Sequence, residues 1–186
     1  MIRKSSFFAA LFVFMATQAS AVEYTQVQPD KSAIHFTYKQ MGVAVDGQFR
    51  KFTSQLNFDP AKPSAAKATF EVELASVDTG APEGDQEVAG KPWFNTRAFP
   101  TARFVSGTVK PLGGNKVEVA GQLTIKGKTQ DVVVPATFTP QGNSGVFDGS
   151  FTIRRADFSI GEGSWAKFDI VANDVLIKFR ITANSK

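Results

Sequence analysis

Residues able to carry acid–base, nucleophilic or metal chemistry are few and scattered in this chain. It has one histidine, His35, and no cysteine, which excludes disulfides, thiol redox chemistry and thiolate metal sites. Zinc or copper would have to be held mainly by carboxylates, which suit neither metal, and no HExxH or comparable spacing occurs. A Ser-His-Asp hydrolase would have to recruit His35, yet no serine sits in a G-x-S-x-G turn, and His35 lies on the polar parity opposite Ile34 and Phe36. Glu71 and Glu73 share the outward parity of Thr69, the expected place for solvated charges, and nothing in their spacing singles out a glycosidase acid and base. Arg155 and Asp157 differ, because they share the parity of Phe147, Phe151 and Ile153. On an inward face such a pair would close a barrel end or hold a polar headgroup; past the end of a strand it would simply be solvated. No residue is assigned a catalytic role, and no cofactor or metal is expected.

The elements that must position these groups are strands. Apolar and polar residues alternate with period two in segment after segment, and no helical period is sustained. The expected strands run over residues 24–28, 33–40, 45–59, 66–77, 102–110, 116–125, 131–140, 146–157 and 168–183. Pro29-Asp30, Asp59-Pro60, Gly113-Gly114-Asn115, Lys126-Gly127-Lys128 and Gly142-Asn143 supply the turn chemistry between them. Residues 116–138 form the clearest hairpin, with Val117, Val119, Gly121, Leu123 and Ile125 on one parity. Phe49 opposes Phe52, Leu56 and Phe58 in parity, and a β-bulge between Phe49 and Phe52 would restore the alternation and bend the strand. Glu83 to Phe99 lacks strand character and is expected to hold a short helix near residues 83–97, ended by Gly90 and Pro92. Gly161-Glu162-Gly163-Ser164-Trp165 is a second irregular segment, and both would rim an opening.

The N-terminus has the form of a secretory leader: Arg3 and Lys4, an apolar run from Phe7 to Met15, then Ala19-Ser20-Ala21. Residues 1–21 are therefore expected to be a signal peptide and residues 22–186 one domain in the periplasm. The apolar run is too short to span a bilayer, which takes about 20 residues. Without residues 1–21 the chain has 19 basic and 17 acidic residues, net +2, and no basic stripe or RNA-binding aromatic signature, so nucleic acid is not an expected partner. Fourteen phenylalanines remain. Many share a parity with other apolar residues, as in Phe36 with Tyr38, Phe70 with Val72 and Leu74, and Phe147 with Phe151 and Ile153. Such a face fills a sandwich core or walls an apolar cavity, and alternation alone does not choose.

Five segments in order bear on that choice: Trp93-Phe94-Asn95; Phe99-Pro100-Thr101-Ala102-Arg103-Phe104-Val105-Ser106; Gly121 to Thr129 with Val132; Arg155-Ala156-Asp157-Phe158; and Asn173-Asp174-Val175. Together with Lys39, Gly47, Phe49 and Asp85 they make the chain resemble the YceI-like family along nearly all of residues 22–186. The resemblance implies an all-β fold, an extended lipocalin-like antiparallel β-barrel, whose elongated apolar cavity holds a polyisoprenoid or similar long-chain lipid such as an isoprenoid quinone. Read with strand parity, it makes Phe36, Tyr38, Phe70, Val72, Leu74, Phe104, Leu123, Phe151 and Ile177 the expected wall, and Trp93, Phe94 and Trp165 the rim. Arg155 and Asp157 complete the expected ligand-binding set. Gln40 stands where many members have histidine, and Ser159 where many have glycine. A carrier of this kind would touch a membrane or membrane protein transiently; its oligomeric state is not legible.

Overall fold

The computed structural model describes residues 22–186, so the expected leader lies outside the described residues. The described residues form eleven strands and one α-helix: β1 (Tyr24–Val27), β2 (Ala33–Gln40), β3 (Val43–Phe49), β4 (Phe52–Asn57), β5 (Lys67–Glu73), β6 (Val77–Asp78), α1 (Pro82–Ala89), β7 (Thr101–Gly113), β8 (Lys116–Ile125), β9 (Lys128–Gln141), β10 (Ser144–Arg154) and β11 (Asp174–Ser185). Every pairing is antiparallel, and the strand order is β4-β5-β7-β8-β9-β10-β11-β2-β3-β6, with β1 beside β11.

This sheet curls into an extended barrel. Tyr24 N–H donates to the Phe58 carbonyl at 2.8 Å and Phe58 N–H to the Tyr24 carbonyl at 3.1 Å, joining β1 to the end of β4. Because β1 runs on into β2, β3 into β4 and β5 into β6, each pair acts as one bent stave. Around the girth this makes about eight staves, the size at which a barrel is filled by its own side chains or holds one small ligand. Three tight reversals have left-handed backbone at both turn residues, Met41-Gly42, Gly114-Asn115 and Lys126-Gly127, with φ from 50° to 81°. That is the geometry which suits the right-handed twist of a hairpin.

The parity switch at Phe49 and Phe52 is resolved by a strand break. Arg50 and Lys51 leave the ladder between β3 and β4, whereas a bulge was expected. Arg50 N–H donates to the Ser76 carbonyl and Glu73 N–H to the Lys51 carbonyl, so the neighbouring stave breaks at the same level, where Leu74–Ser76 form a 3-10 turn. Both phenylalanines can then face inward. Strand β10 likewise stops at Arg154, where Arg155–Phe158 form another 3-10 turn ending at Ser159 with φ 55°. That left-handed conformation favours glycine, the residue that the resemblance implies at this position.

Candidate functional site

The barrel interior is filled at one end and hollow toward the other. At the filled end Tyr24, Phe58, Phe138 and Phe147 pack ring against ring with centroids 4.8–5.0 Å apart and form a floor. Beyond them lies a void of about 90 Å³ that touches Leu56, Phe58, Val109, Val117 and Phe147. Phe70, Phe104, Val134, Phe179 and Ile181 border this void and also the main cavity, of about 340 Å³, so they form a waist between the two. Of the residues lining the main cavity only Gln40 and Glu87 are exposed, which puts the mouth between the end of β2 and α1.

Glycines make room for several of the large rings in the cavity wall. An added Cβ at Gly121 would lie 2.7 Å from the Phe104 ring and 2.5 Å from the Val105 carbonyl oxygen; at Gly47 it would overlap the Phe36 ring and lie 2.6 Å from the Asp78 carbonyl oxygen. Phe179 covers Gly149 in the same way. Each ring lies along the wall over a missing side chain rather than projecting into the space it encloses.

Thirteen of the fourteen residues expected from sequence at the site line this cavity: Phe36, Tyr38, Phe70, Val72, Leu74, Trp93, Phe94, Phe104, Leu123, Phe151, Arg155, Trp165 and Ile177. Three details differ. Leu74 reaches the wall from a 3-10 turn, not from a strand. Trp93 is buried rather than at the rim, its ring 5.4 Å from that of Trp165. Asp157 is not in the wall: beyond Arg154 the strand parity no longer applies, and its carboxylate pairs outward with Arg154 at 2.9 Å. Parity missed Ile34, Phe49, Val134, Ile153, Val175 and Phe179. Most share the inward parity of residues that were named, so that signal was available; Phe49 was obscured by the strand break. His35 is exposed and lies outside the lining.

Arg155 is 2% exposed and holds the loop beside the mouth. Its guanidinium donates to six backbone carbonyls, of Ile160, Gly161, Trp165, Lys167, Val171 and Ala172, at 2.7–3.1 Å, and lies between the rings of Trp93 and Phe168. No carboxylate pairs with it among the described residues. Burial pulls its pKa below the ordinary arginine value. With its donors directed at backbone, Arg155 is a fastener of the loop rather than a free anion site. Lys126 is similarly engaged, by Glu162 and the Ser159 carbonyl, each at 2.7 Å. The wall thus offers few free polar groups. Tyr38 is one, and burial pushes its phenol pKa up, so it stays neutral.

Across the mouth, Trp165 Nε1 donates to Glu87 Oε1 at 2.8 Å, tying the 163–165 turn to α1. The bond is exposed, so Glu87→Ala is expected to cost less than about 1 kcal/mol of stability. The same change should speed release of a bound apolar probe several-fold, seen by stopped-flow fluorescence. Unchanged release would show that this contact does not restrict the mouth.

A floored, apolar-walled antiparallel barrel of this kind defines a lipocalin-like architecture. Residues 25–183 match the YceI-like domain, and the chain belongs to that family. A UPF0312 protein of Pseudomonas savastanoi is 32% identical over 170 residues, covering 86% of this chain and 88% of its own. Among solved structures, BcnA of Burkholderia cenocepacia superposes with a TM-score of 0.84 at 43% identity, covering 86% of this chain and all of BcnA. A polyisoprenoid-binding domain from Saccharophagus degradans shares the fold, with a TM-score of 0.66 at 16% identity over 89% of this chain and 99% of that domain.

Proposed function

We propose that this protein binds and carries the apolar tail of a long-chain lipid, of the polyisoprenoid or isoprenoid-quinone kind, in the periplasm. The observation that carries the reading is the cavity of about 340 Å³, whose wall is almost wholly apolar. Its family membership and the polyisoprenoid-binding relative support an apolar lipid as ligand. The leader-like N-terminus supports the compartment. A binding role rather than catalysis accords with an exposed His35 and an outward-facing Asp157.

The volume sets a length. An apolar cavity of about 150 Å³ holds the six carbons of benzene, so roughly 25 Å³ per carbon gives a tail of about fourteen carbons here. At about 0.8 kcal/mol per buried methylene such a tail gains about 11 kcal/mol before the cost of immobilising it. A longer chain must extend out of the mouth or displace the waist. Affinity for prenyl alcohols should therefore climb steeply from ten to fifteen carbons and much less from fifteen to twenty, measured by displacement of a fluorescent apolar probe from delipidated protein. No binding by any of the three alcohols, together with no lipid in organic extracts of protein from its native periplasm, would defeat the reading.

A further inference from the structure

Several large apolar side chains remain exposed, and four of them meet at one place. Met41 and Val43 sit on the β2–β3 reversal, 77% and 66% exposed; Phe168 and Ile170 sit on the loop before β11, 48% and 42% exposed. The two loops are stitched together, with Met41 N–H donating to the Ile170 carbonyl at 2.7 Å, Ala172 N–H to the Lys39 carbonyl at 2.9 Å, and Gln40 bridged to Val171. The inner side of the same segments, Tyr38, Gln40 and Val171, lines the cavity at its mouth. The apolar tips are thus the outer rim of the opening.

We propose that this rim docks on the uncharged apolar zone of a lipid bilayer, so that a lipid passes between membrane and cavity without crossing water; this rests on the lipid-carrier reading above. Two observations select a bilayer over a protein partner or an anionic surface. The patch is four side chains on two loop tips, whereas a stable protein interface engages about 20–30 residues a side. Charges on and beside the loops, Lys39 and Lys167 with Asp46, Asp169 and Asp174, leave no net positive charge, so the rim offers no cationic excess for acidic headgroups. Insertion of apolar tips is what remains, and it does not depend on salt.

The test is transfer of a fluorescent prenyl alcohol from phosphatidylcholine vesicles to the full mature chain. The expected rate rises in proportion to vesicle concentration, as collision requires, and is unchanged by high salt or by added anionic lipid. Replacing Met41, Val43 and Ile170 together by serine should slow transfer at least tenfold while leaving thermal stability and affinity for the same alcohol in vesicle-free buffer as they were, since none of the three lines the cavity. Phe168 is left in place because its ring covers Arg155. As a control, changing Leu112 and Val133, also exposed, to serine should leave the transfer rate unchanged. A rate independent of vesicle concentration, a dependence on anionic lipid, an equal loss in the control, or self-association that the triple variant abolishes would each overturn the docking proposal. Absence of alcohol binding in buffer would instead defeat the carrier reading itself.

Discussion

Arg155→Leu is expected to cost the fold at least about 4 kcal/mol and to release the loop from Ile160 to Ala172. The variant strands six carbonyls that now accept from one guanidinium. Hydrogen bonds to charged groups are each worth about 1.5–3 kcal/mol, though water recovers part of this as the loop opens. At about 2–4 °C per kcal/mol for a domain of this size, the melting temperature should fall by about 10 °C. Hydrogen exchange should accelerate across residues 160–172, and apolar-probe binding should weaken because Ile160, Trp165 and Val171 all line the cavity. Arg155→Lys is expected to recover less than half of the loss, since an ammonium offers three donors where six acceptors are arranged around a planar fork. A loss below about 1 kcal/mol, with exchange in the loop unchanged, would mean that the loop is held by its own backbone contacts and that Arg155 only fills space.

Gly121→Ala tests how the hollow interior is kept. The new methyl would meet the Phe104 ring at 2.7 Å and the Val105 carbonyl oxygen at 2.5 Å, distances at which something must move. Overpacking of this kind costs about 1–3 kcal/mol. The movable group is the ring, which borders both voids, so it should swing into the waist and lower affinity for a fifteen-carbon alcohol about tenfold. Adding Phe104→Leu should restore part of the stability and most of the affinity, because it removes the ring but leaves the carbonyl contact; a double-mutant cycle reads the coupling directly. Purely additive effects would show that the ring does not respond to the glycine beneath it.

Both predictions concern places where local pattern and three-dimensional arrangement part company. The strand periodicity, the turns at Lys126-Gly127 and Gly114-Asn115, and the inward parity of Phe36, Phe70, Phe104, Leu123 and Phe151 were all legible, because side chains alternate across a strand whatever the strand packs against. The helix near residue 83 was legible from its want of alternation, and Pro82–Ala89 bears it out. Motif order along the chain carried the family. Parity loses its meaning where a ladder ends, however, and ladder ends depend on distant partners. Arg154 is the last residue of β10, so Asp157 turned outward against the expectation, and the paired break at Arg50-Lys51 and Leu74–Ser76 exists because two neighbouring staves bend at one level. Whether the aromatic face is core or wall was likewise beyond alternation. It is core where Tyr24, Phe58, Phe138 and Phe147 converge from four strands or strand ends, with Phe138 over Gly145, and wall where Phe36, Phe104 and Phe179 lie over glycines and border the cavity. At Phe36 and Phe179 the glycine belongs to the facing residue of the neighbouring strand. The parity of Phe and Gly can be read residue by residue, but which ring covers which glycine is a matter of register between strands, and that is decided only when the barrel closes.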